Sequence, residues 1–78
     1  MANVITGVSI SLSRTVLLDE VDASTTYLGV GKMGQATSGA VWQIRKLSKS
    51  GTVTSIKYAD GDDLYNNVWD DRTTLTYT

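Results

Sequence analysis

The sequence predicts a small, mainly β domain, and three observations support this fold class. Eleven Thr and eight Ser residues lie among Val, Ile, Tyr and Trp, and β-branched and aromatic side chains fit the half-buried surface of a sheet. Segments 8–13 and 73–78 alternate apolar and hydroxyl residues, which is the period of a strand with one buried face. Segments 41–48 and 52–59 have the pattern of a central hairpin. We therefore expect a small antiparallel sheet or a β-sandwich-like arrangement, in a single domain spanning residues 1–78.

The first predicted strand lies near the N-terminus, where Val8, Ile10 and Leu12 alternate with serines and share one face. Residues 16–18 continue this strand or pair with it, and the acids and turn formers of 19–24 are expected to end it. Residues 1–7 precede the alternation and are candidates for an extended arm.

The hairpin is predicted to turn through a three-residue loop, 49–51, because Gly51 adopts a positive φ at little energetic cost. The register that follows brings aromatic and β-branched side chains together across the strands, as stable sheets prefer. Its facing pairs would be Ser48 with Thr52, Ile44 with Ile56, and Trp42 with Tyr58.

Two further elements are predicted after the hairpin. One short helical turn is expected near 62–69, where Leu64 with Val68 and Tyr65 with Trp69 have i,i+4 spacing behind several acids. The alternation of 73–78 then predicts a terminal strand that carries Leu75 and Tyr77 on one face.

Gly29, Gly31 and Gly34 have the G-x-G-x-x-G spacing of a phosphate-binding loop. That motif functions only between a strand and an amphipathic helix, and residues 35–40 are small and turn-forming. We instead expect Gly29 and Gly31 to lie on one face of a strand beginning at Tyr27, together with Met33. Glycines there leave a strip that Trp42, Trp69 or a neighbouring chain can approach closely.

The composition excludes several kinds of chemistry. The chain contains no Cys and no His, which removes disulfides, the usual zinc sites, thiol nucleophiles and imidazole catalysis. Five acids within residues 60–71 suggest calcium binding or a carboxylate-pair hydrolase. However, their order along the chain is not that of an EF-hand loop, and the bidentate Glu of such a loop is missing. A solvated, capped turn is favoured, with Asp70 or Asp71 pairing with Arg72; the cluster comprises Asp60, Asp62, Asp63, Asp70 and Asp71. No catalytic, cofactor-binding or metal-binding residue is assigned.

The large aromatic residues have two interpretations. Trp42 and Trp69 are expected in the core, since a chain without Phe has little else to fill it. Surface tyrosines could instead bind a sugar or a protein. Three lysines near the hairpin are expected to form a solvated face that discourages edge pairing; they are Lys46, Lys49 and Lys57.

Charge and length limit the partners. A formal net charge of −1 gives no field to attract nucleic acid or an anionic membrane. No apolar run reaches the roughly 20 residues of a membrane span, and residues 1–4 lack the features of a signal peptide, so synthesis in a cytoplasm is expected. A chain of 78 residues without disulfides or metals commonly gains stability by association, so we expect an oligomer or a larger assembly.

The stretch from Tyr27 to Tyr77 contains Y-L-G-x-G, A-T-S-G-A-V-W-Q-I-R-K-L, Y-A-D-G-D-D and V-W-D-D-R-T-T-L-T-Y. It resembles a group of small proteins and domains encoded by tailed bacteriophages, with Tyr58 where the group often has Trp and Tyr65 where it often has Phe. The resemblance implies a structural role in the virion, beside other virion proteins such as the major capsid protein or copies of itself. It implies no catalytic or binding residue.

Three functions follow as expectations. The first is a small accessory protein of the capsid shell, a decoration or cement protein that holds capsid subunits together by surface burial and edge-strand pairing. In this case the first dozen residues are the expected extension onto a neighbour. The second is a component of the tail, neck or fibre, and the third is a β module that binds a host glycan or protein.

Overall fold

The computed structural model describes residues 14–78, so the predicted strand at 8–12 and the candidate arm at 1–7 lie outside the described residues. The described chain forms one antiparallel sheet with the strand order β1-β2-β3-β4, and β5 pairs with β3. This confirms the mainly β, antiparallel fold class, in the form of a single sheet. The elements are β1 (Arg14–Asp22), β2 (Thr25–Lys32), β3 (Ala40–Ser50), β4 (Val53–Tyr58), β5 (Asn67–Val68) and a 3-10 turn (Trp69–Asp71).

Strand β1 runs further than the sequence predicted. The acids from residue 19 onward do not end it, since β1 continues to Asp22 and the turn follows at residues 23 and 24. The Asp22 carboxylate accepts hydrogen bonds from the Ser24 backbone N–H (2.8 Å) and the Ser24 hydroxyl (2.9 Å). These bonds, the backbone one first, lower the pKa of Asp22. The strand therefore ends in a turn built by this aspartate.

The central hairpin is confirmed, with strands Ala40–Ser50 and Val53–Tyr58 where 41–48 and 52–59 were predicted, but its predicted register is wrong. Its loop has two residues, Gly51 and Thr52, and Ser50 pairs with Val53. Gly51 has a φ of +62°, and two-residue hairpin loops favour glycine at such positions because their twist matches that of the strands. The observed facing pairs are Arg45 with Tyr58, Leu47 with Ile56, and Ser48 with Ser55.

The C-terminal third differs most from the prediction. No helical turn forms at 62–69; the chain there is irregular, then forms β5, and the 3-10 turn begins only at Trp69. The expected terminal strand is reduced to a bridge between Ala59 and Tyr77. Backbone hydrogen bonds between residues 76–78 and segment 58–61, together with packing on the sheet, fix the path of the C-terminal region, and no α-helical turn forms there.

The two faces of the sheet differ because side chains alternate along each strand. The covered face carries the core cluster, in which Trp42 and Ile44 are each 1 % exposed, and the C-terminal segment packs across it through Trp69, Leu75 and Tyr77. This confirms the core assignment of both tryptophans, which lie 6.3 Å apart between ring centroids. The remaining members of the cluster and its border are Leu17, Tyr27, Val41 and Ala59.

Gly29 and Gly31 form the strip that the sequence predicted. A Cβ built on Gly29 would lie 2.5 Å from Cε3 of Trp69, and one on Gly31 would lie 2.9 Å from Cε3 of Trp42. Each indole therefore lies against bare backbone, which only glycine allows. Met33 does not share this face, since β2 ends at Lys32 and Met33 is 64 % exposed.

Candidate functional site

The acidic residues of 60–71 do not converge. Asp62 accepts a hydrogen bond from the Leu64 backbone N–H at 3.0 Å, and Asp63 contributes its backbone carbonyl to Gln43 at 2.7 Å. Within residues 14–78, no group of three or more acids could hold a metal ion. Nor does Arg72 pair with Asp70 or Asp71, as the sequence suggested. Its guanidinium binds Asp19 on β1, with Nε and Nη2 each 2.9 Å from Oδ2.

The Arg72 contact instead fastens the C-terminal segment to the sheet. The guanidinium also lies 4.7 Å from the Trp69 ring centroid, and its Nη1 donates to the Trp69 carbonyl at 3.2 Å. The Tyr77 hydroxyl donates to the Arg72 carbonyl at 2.7 Å. Burial, and next the neighbouring Tyr27, raise the pKa of Tyr77 to about 12. The acids and Arg72 thus serve the fold of this segment.

Among the described residues, the opposite face of the sheet is covered only toward its Arg14 end, where the Asp63 carbonyl accepts a hydrogen bond from Gln43 and the Tyr65 ring lies against Arg14. We call it the open face. Its side chains follow from the pairing of the strands. The central Leu28 is 2 % exposed, whereas Leu18 and Ile56 on the outer strands are 42 % and 56 % exposed. The apolar members of the open face are Val16, Leu18, Leu28, Val30, Leu47 and Ile56.

A polar row crosses the open face and is held in place by its own contacts. Nε and Nη2 of Arg45 donate to Oε1 of Gln43 at 3.2 and 2.8 Å, and the guanidinium lies 5.0 Å from the Tyr58 ring centroid. Gln43 is 6 % exposed, so this arrangement is fixed before any partner arrives. The charged side chains of the face are Arg14, Lys32, Arg45 and Lys49 against Glu20. The open face is therefore apolar at its centre and predominantly basic.

A cleft of about 340 Å³ lies at the end of the sheet where β1 begins. Arg14 and Lys32 give it positive charge, and the Arg14 guanidinium lies 5.1 Å from the Tyr65 ring centroid. Gln35 and Val41 complete its lining. Tyr65 is the most exposed aromatic side chain of the described residues, at 43 %. The cleft could hold a small anionic group at the margin of the open face.

Within residues 14–78 the sheet has two outer edges, those of β1 and β4, and the edge of β4 is the more regular. The edge of β4 is closed at one end, because the backbone N–H of Tyr58 donates to the Thr78 carbonyl (3.3 Å) and the backbone carbonyl of Tyr58 accepts from the Thr78 N–H (3.2 Å). Backbone groups alternate in direction along a strand, so the N–H and C=O of Thr54 and Ile56 also point away from β3. We call segment 53–57 the open edge; its side chains are all exposed.

The sequence analysis identified neither the open face nor the open edge. Only the open face had a pattern in the sequence that could have indicated it. Leu18, Leu28 and Ile56 lie in separate predicted strands. Their common face depends on strand pairings that composition does not specify, such as Leu18 with Leu28 and Leu28 with Arg45, which are 10 and 17 residues apart in sequence. The three lysines were expected on one solvated face, but Lys46 lies on the covered face, 6.0 Å from the Tyr77 ring centroid. Lys49 lies on the open face.

Comparisons with protein-family models, curated proteins and solved structures found no match to this chain. Within residues 14–78, no helix is long and apolar enough to cross a membrane. The interpretation of function therefore depends on the open face, the open edge and the resemblance in sequence.

Proposed function

We propose that the chain is a non-enzymatic structural protein of a tailed-bacteriophage particle, acting as an accessory protein of the capsid shell that stabilises contacts between capsid subunits. The observation that carries this proposal is the open face, where Leu18 on one outer strand and Ile56 on the other are both exposed on the same side of the sheet. Large apolar side chains exposed on one surface commonly mark a site of protein association. The resemblance of residues 27–77 to phage-encoded proteins supports the virion as the setting.

The energetics of the open face favour binding to a repeating lattice. Full burial of a Leu or Ile side chain contributes about 1.5–3 kcal/mol, and both Leu18 and Ile56 are already about half buried. The gain is then a few kcal/mol, whereas association costs about 4–15 kcal/mol. Several contacts made at once on neighbouring subunits would make up the difference. The basic margin of the face suits a partner surface that is apolar with acidic groups.

The glycan-binding alternative has less support. Trp42 and Trp69, the side chains best suited to stacking on a sugar, are 1 % and 7 % exposed. Tyr65 beside the 340 Å³ cleft is the remaining candidate. A glycan array with the purified chain and with Tyr65→Ala separates the two functions, since specific binding lost in the variant would favour the β module.

The proposal is tested by the protein composition of purified phage particles, using quantitative mass spectrometry and cryo-electron microscopy. We expect the chain in many copies on the capsid shell. Copies on the tail, neck or fibre alone would overturn the capsid assignment, and absence from the particle would overturn the structural role.

A matched pair of variants connects this result to the open face. Ile56→Asp places a charge on the face, and Met33→Asp makes the same change at a side chain that is equally exposed but lies beyond β2 (56 % and 64 %). We expect Ile56→Asp to lower incorporation into particles and Met33→Asp to leave it unchanged. Equal incorporation of both variants would contradict the role of the open face.

A further inference from the structure

We propose that the open edge of β4 accepts residues 8–12 of a second copy of this chain as an added strand. The inference deepens the proposed function, on which its setting in an assembly rests, because it names a partner for the unpaired part of the sheet.

The open edge can pair with a strand. Thr54 and Ile56 each direct an N–H and a C=O outward, as Tyr58 does toward Thr78. The pairing of β3 with β4 has no register shift from Ser50 to Arg45, so the outward groups form a regular row. Extended segments commonly bind such rows by β-augmentation.

The edge of β1 is less suited to this pairing. Its register with β2 is interrupted between Glu20 and Asp22, and Asp19 and Glu20 place carboxylates along it. Bulges and charges are the usual devices that prevent edge pairing. Segment 53–57 has neither a bulge nor an acid, and Lys57 is its one charged side chain.

Residues 8–12 have the composition that the open edge requires. Residues 1–13 contain no charged side chain, although residues 14–78 contain all fifteen of the chain. Val8, Ile10 and Leu12 alternate with Ser9 and Ser11. An added strand would lay its apolar side beside Ile56 and Leu47 on the open face. Its serines would lie on the other side, beside Ser55.

The distance to the open edge requires a second copy. Arg14 precedes Glu20 by six residues along β1, and Glu20 lies in line with Ile56 across the sheet through Thr26 and Leu47. At about 3.3 Å per residue and about 4.8 Å per strand, Arg14 lies roughly 24 Å from Ile56. Ile10 can lie at most about 13 Å from Arg14, at about 3.3 Å per residue. A chain therefore cannot place its own residues 8–12 along its own open edge.

Disulfide trapping on the full-length chain tests this inference, since the natural sequence has no cysteine. One set of chains carries Ser9→Cys, Ser11→Cys or Ser13→Cys. Each is mixed with a second, size-tagged chain carrying Ser55→Cys and is oxidised. Residue 55 lies between the outward-bonding positions, where facing Cα atoms are about 4.5 Å apart, within the range that a disulfide requires.

The control replaces Ser55→Cys by Thr54→Cys, whose side chain is directed to the open face. We expect one serine position to link to Ser55→Cys at a rate on the order of tenfold above any link to Thr54→Cys, as disulfide geometry demands. Equal rates, or no mixed disulfide, would overturn the inference. A chain that carries Ser55→Cys together with one of the N-terminal cysteines, and forms only the disulfide within a single chain, would overturn the inference as well.

The result is independent of the particle experiment. A chain that is present on capsids but gives no selective disulfide keeps its proposed function and loses the strand exchange. A selective disulfide in a chain absent from particles gives the reverse conclusion.

Discussion

Substitution of Gly29 by alanine adds a single methyl group at the closest contact of the core. The new Cβ would lie 2.5 and 2.6 Å from Cε3 and Cζ3 of Trp69. Trp69 has little freedom to retreat, since it is 7 % exposed and lies between the Trp42 ring and the Arg72 guanidinium. We therefore expect Gly29→Ala to destabilise the fold.

The magnitude follows from the overlap. Carbon atoms in contact lie about 3.5–4.0 Å apart, so the indole must withdraw by about 1 Å. Overpacking of this kind costs about 1–3 kcal/mol, and alanine returns about 0.4–1 kcal/mol by restricting the unfolded chain. The net loss is about 1–2 kcal/mol, which lowers the Tm by roughly 5–15 °C in a domain of this size. Gly31→Ala should cost less, because the closest contact of its Cβ would be 2.9 Å, to Cε3 of Trp42.

Urea unfolding followed by tryptophan fluorescence measures these changes, and Gly39→Ala is the matched control. A Cβ on Gly39 would lie 3.4 Å or more from its neighbours, so we expect a change within about 0.5 kcal/mol. Trp69→Leu should recover part of the loss in Gly29→Ala, as a double-mutant cycle would show. Equal stability of Gly29→Ala and Gly39→Ala would refute the close-packing argument.

Three other predictions concern the C-terminal segment and the hairpin. Since the pKa of Tyr77 is raised to about 12, the folded chain keeps its phenolic proton to a higher pH than the unfolded chain does, and the free energy of unfolding should fall between pH 10 and 12. This fall should be smaller in Tyr77→Phe. In Tyr65→Phe it should be as large as in the natural chain. Asp19→Asn should lower the free energy of unfolding by about 0.5–1 kcal/mol and Asp71→Asn by less, with the reverse order contradicting the observed ion pair. Gly51→Ala adds a Cβ into open space at φ +62°, so a loss of about 1–2 kcal/mol in thermal unfolding would report the backbone alone.

Local patterns predicted the parts of the fold that depend on local chemistry. The glycine strip followed from two-residue alternation at Gly29 and Gly31, and the core position of Trp42 and Trp69 followed from the absence of Phe. The hairpin followed from Gly51 between two β-rich segments. Its register did not, because two-residue and three-residue loops around Gly51 are both sterically allowed and differ by which side chains must be buried.

Long-range pairings decided the rest. Arg72 binds Asp19, 53 residues away in sequence, instead of the adjacent acids, because the C-terminal segment crosses the covered face beside β1. Tyr65 and Trp69 have helical spacing, but Trp69 is drawn to the gap above Gly29. The open edge arises because Thr78 closes only the Tyr58 end of β4. None of these contacts has a local sequence signal.

Amide hydrogen exchange of the full-length chain tests most directly whether the open edge is a surface for association. The N–H groups of Thr54 and Ile56 point outward, whereas those of Ser55 and Lys57 point toward β3. In dilute solution we expect fast exchange at Thr54 and Ile56 and slow exchange at the other two. As concentration rises, NMR should show Thr54 and Ile56 becoming protected, and Ile10→Asp should prevent this. Fast exchange at both residues in the associated state would contradict the account.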